Sequence, residues 1–173
     1  GGHLVDTDAI ARSLTLAGGA ALPELRRAFG ADVIGDDGAL NRDRMRSLVF
    51  GDPAIKRRLE AILHPLIGQE ARKQAESAGE AVVVYDVPLL VESSHWRQRV
   101  DRVLVVDCPE SLQVARVMHR SGWTEAAVRA VIAQQAPRAK RRAAADAVIH
   151  NEQLSLEQLG QQVAELWVAW VGT

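Results

Sequence analysis

The sequence predicts an α/β protein built on a parallel sheet, on three observations. Three short apolar runs, His3-Leu4-Val5-Asp6, Val82-Val83-Val84-Tyr85-Asp86 and Val103-Leu104-Val105-Val106-Asp107, are β-branched and each end in aspartate. Their apolar character is continuous rather than alternating, the pattern of parallel strands buried on both faces. Helical periodicities lie between them, giving the β-α-β alternation of an α/β fold.

At 173 residues the chain is in the range of one domain, and 47% hydrophobic with 25% charged residues is enough apolar material for a core. The longest stretch without a charge, residues 13–23, has eleven residues, against the roughly 20 of a spanning helix. Nothing has the form of a secretory leader. One cysteine, Cys108, excludes an intramolecular disulfide and a cysteine-built zinc site. The expectation is a cytoplasmic protein. A net charge of −1 announces neither a nucleic-acid nor a membrane partner.

Taken in order, the first strand leads within a few residues to Asp6 and Asp8. On an extended backbone positions i and i+2 share a face, so these two carboxylates are expected side by side. Residues 8–82 hold no clear strand. Leu22, Leu25, Ala28 and Phe29 recur at helical spacing, as do Ile55, Leu59, Ile62 and Leu66. Gly35-Asp36-Asp37-Gly38 reads as a turn and Gly51-Asp52-Pro53 as a helix start. A helical insertion over residues 17–78 follows, placed after a strand's carboxyl end and therefore over the ligand-binding edge. Within it His64 precedes Pro65, which is expected to break or kink the helix and can aim the imidazole inward.

The second and third strands are each followed closely by a proline, Pro88 and Pro109. Helices are expected over residues 110–120 and 124–136, the latter started by Thr124. A weaker strand is Ala147-Val148-Ile149. The last helix opens on a capping box, Ser155 with Gln158, and carries a stripe of Leu156, Leu159, Val163, Leu166, Trp167 and Trp170 expected to be core.

Ligands of open α/β sheets bind at the strands' carboxyl edge, where Asp6, Asp8, Asp86 and Asp107 fall. Carboxylates there can hold a divalent cation or accept a hydroxyl proton, although aspartate also ends strands because it makes turns and caps helices. That structural role is the expectation for Asp107. For Asp86 a magnesium role and a turn both remain open. Residues 116–142 carry seven basic groups (Arg116, Arg120, Arg129, Arg138, Lys140, Arg141 and Arg142) against one acid, Glu125. A local charge near +6 fits a lid that binds anions through guanidinium groups. Arg116 and Arg120, four apart, project from one helix face. A solvated face or a nucleic-acid patch is the alternative, but aromatic residues are not interleaved beyond Trp123.

Several blocks together resemble the dephospho-CoA kinase family. They are Val5-Asp6-Thr7-Asp8-Ala9-Ile10-Ala11-Arg12; Phe29-Gly30; Asp37-Gly38-Ala39-Leu40-Asn41-Arg42; Val49-Phe50-Gly51-Asp52-Pro53; His64-Pro65-Leu66-Ile67; Asp86-Val87-Pro88-Leu89-Leu90-Val91-Glu92; Arg116 with Arg120; Gln135-Ala136-Pro137-Arg138; and Ala145-Asp146-Ala147-Val148-Ile149 with Asn151. Their order runs through nearly the whole chain. The resemblance implies a three-layer, parallel-sheet P-loop kinase-like fold. Residues 1–16 and 79–173 form its nucleotide-kinase core, with a lid at about 116–142, and residues 17–78 its dephospho-CoA-binding insertion. It also implies a reaction: transfer of the γ-phosphoryl group of ATP, with magnesium, to the ribose 3′-hydroxyl of dephospho-CoA, the last step of coenzyme A synthesis. By motif position Asp8 is then the carboxylate near that hydroxyl, and Arg138 a catalytic phosphate contact. Asp6, Arg12 and His64 lie on the substrate side, and Arg116, Arg120, Arg138 and Asn151 on ATP. Other readings are a non-catalytic binder of CoA or nucleotide, or a related small-molecule kinase.

The chain departs from the family's pattern in two places. The family carries Gly-x-x-x-x-Gly-Lys-[Ser/Thr] after its first strand, where backbone amides cradle phosphates and the lysine reaches the β/γ oxygens. These 173 residues contain no such string, and in the family it precedes the segment with which they begin. The expectation is a truncated form of a normal kinase, nearly inactive as it stands; turnover by these residues alone would refute it. Glu152-Gln153 also stands where the family usually has a glycine.

Overall fold

Each apolar run forms a strand, and each strand pairs in parallel with one other. In the computed structural model, which describes residues 1–172, β1 (His3–Asp6) pairs with β2 (Val83–Asp86), and β3 (Leu104–Asp107) with β4 (Ala147–His150). The chain divides into two units, Gly1–Val87 and Pro88–Thr173, with one strand pair in each.

In the first unit the register runs from His3 opposite Val83 to Asp6 opposite Asp86. Helix α1 (Thr7–Leu14) starts without a linker because Asp6 is at once the last strand residue and the N-cap, its Oδ1 accepting from the Ala9 amide at 2.7 Å. The Thr7 hydroxyl donates to the Asp86 carbonyl at 2.8 Å, tying the start of α1 to the end of β2. Between β1 and β2 lie α2 (Leu22–Phe29), a 3-10 turn (Ala31–Val33), α3 (Arg42–Gly51) and α4 (Pro53–Glu76). Asn41 caps α3 and Asp52 caps α4, with Pro53 in the first turn, where its missing N–H is no loss. The expected turn at 35–38 closes through Gly35 N–H to Ala39 O at 2.8 Å. Gly38 takes φ +76°, which a side chain would resist. Arg44 reaches back to Asp32 in the 3-10 turn and holds that carboxyl below its usual range.

The expected break at Pro65 does not occur: α4 runs through it for 24 residues. One proline removes a single ladder bond. The helix is capped at its start and packs on α1, α2, α3 and β1, so it stays continuous. The core of this unit is Val5, Ile10, Ala21, Leu25, Val33, Met45 and Ala71.

In the second unit β3 and β4 are in register from Leu104 opposite Ala147 to Asp107 opposite His150. Its helices are α5 (Ser94–Arg97), α6 (Glu110–Ser121), α7 (Glu125–Ile132), α8 (Arg138–Ala143) and α9 (Leu156–Val171). Helix α6 stops at Gly122, left-handed at φ +66°, and Thr124 caps α7. The helix expected to reach residue 136 stops at Ile132. Gln134 and Gln135 bond only three residues back, and Pro137 disfavours helical backbone in the residue before it. The capping box of Ser155 and Gln158 forms as predicted.

Two expectations about burial are corrected. The strands are not covered on both faces, since Leu4, Val84, Leu104 and Val106 are exposed. In the first unit the helices cover the face that carries Val5 and Tyr85 and leave that of Leu4 and Val84 open. The stripe of α9 is not fully core: Leu156 and Val163 are exposed, while Leu159, Leu166, Trp167 and Trp170 are half-buried.

Leu25→Ala, at a fully buried position, is expected to lower unfolding free energy by about 2–5 kcal/mol. Phe50→Ala, at a position 93% exposed, is expected to change it by less than about 0.5 kcal/mol. Urea denaturation of both variants checks the contrast.

Candidate active site

The first unit gathers acidic groups at the carboxyl end of its strand pair. Asp6 and Asp86 are register partners there, and Asp8 follows in the first turn of α1. The extended backbone on which Asp6 and Asp8 were expected to share a face ends at Asp6, because the chain turns helical at Thr7. The environments of the two carboxylates differ. Asp6 is engaged by the Ala9 amide, with Arg12 Nη2 3.7 Å from its other oxygen. Asp8 is exposed and has no hydrogen bond or ion pair among the described residues. His64, on α4, is exposed rather than aimed inward, also without such a partner.

The second unit gathers charge around a buried carboxylate. Asp107 ends β3 with its side chain 2% exposed. Arg138, the first residue of α8, grips it: Nε donates to Oδ1 at 2.9 Å and Oδ2 at 3.0 Å, and Nη2 to Oδ2 at 2.7 Å. Arg142, one turn along α8, brings Nε to 4.0 Å of Oδ2, and His150, opposite on β4, brings Nδ1 to 3.5 Å. The hydrogen bonds from Arg138 hold the Asp107 carboxyl below its usual range, outweighing burial, which acts the other way; Arg138 is in turn raised. The turn before α8 is fixed as well. The Ala136 amide donates to Glu92 Oε1 at 2.6 Å, and Arg141 donates to the Ala136 carbonyl at 2.7 Å.

Arg116 and Arg120 do not share a task. Arg116 donates to the carbonyls of Asn151 at 3.0 Å and Glu152 at 3.5 Å, and so braces the loop after β4. The Asn151 amide donates to the Asp107 carbonyl at 2.8 Å. Arg129 pairs with Glu125 along α7. Arg120 and Lys140 have no hydrogen bond or ion pair among the described residues, and are open to an anion.

A family model described as dephospho-CoA kinase matches residues 1–157. The chain belongs to the dephospho-CoA kinase family. The dephospho-CoA kinase of Burkholderia pseudomallei K96243 is 51% identical over 166 residues, 96% of this chain and 82% of that protein. That of Burkholderia thailandensis is 49% identical over 172 residues, covering 99% and 85%. Among solved structures, TT1252 from Thermus thermophilus superposes with a TM-score of 0.84 at 32% identity, over 99% of this chain and 86% of that one. A dephospho-CoA kinase from Campylobacter jejuni does so at 0.67 and 21% identity, over 98% and 85%, which speaks for the fold alone. The fold is thus the α/β, P-loop kinase-like class, as the sequence predicted. No described helix is long and apolar enough to cross a membrane.

Against the family's motifs, the residues fall into two groups by unit: Asp6, Asp8, Arg12, His64 and Asp86 in the first, Arg116, Arg120, Arg138 and Asn151 in the second. The residue the sequence reading undervalued is Asp107. It was expected to make a turn or cap α6, but the N-cap of α6 is Pro109 and no side chain caps it. Both Asp107 oxygens go instead to Arg138. The available signal was an acid at a strand end with an excess of arginine in the segment behind it.

The lowered Asp107 pKa fixes the sign of a pH effect. A carboxyl lowered by folding stabilises above its unfolded value, about 3.9, and that contribution is lost as pH falls through the folded value. The stability gap between wild type and Asp107→Asn, measured by urea denaturation, is expected to shrink as the pH falls below about 4. A gap unchanged down to acid unfolding contradicts the assignment.

Proposed function

We propose that the protein transfers the γ-phosphoryl group of ATP to the ribose 3′-hydroxyl of dephospho-CoA. Its family supports the reaction class, and the contrast between Asp6 and Asp8 carries the residue assignment. Asp6 is spent on the cap of α1, while Asp8, two residues on, keeps both oxygens free to orient or deprotonate an acceptor hydroxyl. Arg12 and His64 lie on the same unit as exposed groups suited to the acceptor's phosphates, and the insertion over residues 17–78 is its binding domain. In the lid, at about 116–142, Arg120 and Arg138 meet the phosphates of ATP, with Asn151 near the adenine and Arg116 shaping that loop.

Little covalent work falls to the protein in phosphoryl transfer. The barrier is lowered by alignment of donor and acceptor and by positive charge around the transferring group. The described residues include no group of three or more acidic, histidine or cysteine side chains placed to hold a metal. Magnesium takes only one or two protein carboxylates beside phosphate oxygens and water. The exposed carboxylate of Asp86, at the end of β2, fits that smaller share. When bound, magnesium neutralises charge on the β and γ phosphates.

In the full-length gene product, Asp8→Asn is expected to lower kcat for dephospho-CoA by about 10²–10⁴-fold, with little change in the unfolding midpoint because the side chain is exposed. A coupled assay of ADP release reads it; wild-type turnover would remove Asp8 from the mechanism. A protein made of these 173 residues alone, without the phosphate loop, is expected to turn over at least about 10³-fold more slowly.

A further inference from the structure

We propose that Asp107 is a positioning residue for phosphoryl transfer: it holds Arg138 by one edge, so that the rest of the guanidinium is presented to a phosphate in a single orientation. The inference rests on the reading that Arg138 meets the phosphates of ATP.

Arg138 spends Nε and Nη2 on Asp107 and leaves Nη1 without a hydrogen bond among the described residues. The carboxylate end of this contact is buried, at 2% exposure, while the arginine is 34% exposed. One side of the fork is therefore anchored on a buried carboxylate, and the other has no partner among the described residues. The anchor is itself fixed. Asp107 closes β3, and its carbonyl takes the Asn151 amide, so it moves with the strand pair. From the other side, Glu92 and Arg141 hold Ala136, two residues ahead of Arg138.

Stability alone does not account for the arrangement. A buried ion pair contributes little more than a well-packed apolar replacement would, and a purely structural pair needs one cation. Here one carboxylate is faced by Arg138, Arg142 and, when protonated, His150. Asp107 offsets one of these charges, and the Glu152 carboxylate also acts on Arg138. A guanidinium already held in place also loses less side-chain freedom when the anion arrives.

The test is a double-mutant cycle in the full-length gene product, with Asp107→Asn, Arg138→Gln and both together, read as kcat, KM for ATP and unfolding midpoint. Asp107→Asn is expected to lower kcat by about 10–100-fold while KM for ATP changes by less than about threefold. It is expected to add nothing further in the Arg138→Gln background, and Asp107→Glu to recover part of the loss. Should Asp107→Asn fail to fold, Asp107→Glu, which keeps the charge but moves it by one methylene, takes its place in the cycle, with a smaller loss of kcat expected and again nothing further in the Arg138→Gln background. An equal loss with and without Arg138 overturns the inference, because Asp107 would not act through that residue. Wild-type kinetics in the folded Asp107 variant, with Arg138→Gln impaired, overturns it alone. Wild-type kinetics in Arg138→Gln overturns the phosphate role of Arg138 and this inference together.

Discussion

Parallel pairing in register is the constraint on which the rest of the structure depends. Strands that run the same way and end together place their last residues at one edge, and here those residues all bear ionisable side chains. Asp6 meets Asp86 across one pair, and Asp107 meets His150 across the other. Helix α1 leaves the edge of the first pair, and α6 that of the second, each within a few residues. The turn from strand to helix at Thr7 separates Asp6 from Asp8 in role: one carboxylate satisfies backbone, the other stays available.

A carboxylate as buried as Asp107 must be paired or lose its charge. That requirement organises the second unit around it. Arg138 is drawn inward at the start of α8, Arg142 follows one turn later, and the loop after β4 is closed by the Asn151 amide and braced by Arg116. The basic segment, read along the chain, is a uniform block of positive charge. Folded, it separates into cations already engaged, such as Arg116, Arg129 and Arg138, and others left open, Arg120 and Lys140. The net charge of −1 averages over this division.

Much of the fold was legible because its signals are local. Continuous β-branched runs ending in aspartate marked β1, β2 and β3, and Asp52-Pro53, Thr124 and Ser155 marked helix starts that formed where expected. What was not legible depends on partners far away in sequence. Pro65 predicts a break or kink because its cost is local, while the packing that carries α4 through it comes from α1, α2, α3 and β1. The apolar character of Leu4, Val84, Leu104 and Val106 could not say how many faces would be covered. Asp107 looks like a turn former in the sequence because its partner stands 31 residues further on. The order of the family's motifs named a reaction that charge and strand order could not, since those point to phosphate and a cation without choosing the acceptor.

Phosphorus NMR of the full-length gene product incubated with ATP, magnesium and dephospho-CoA tests the central claim most directly. The account predicts that ADP and a new phosphomonoester on the ribose 3′-oxygen appear together, and only when dephospho-CoA is present. ATP left intact in the presence of dephospho-CoA, or a phosphoryl group arriving on any other oxygen, would contradict it.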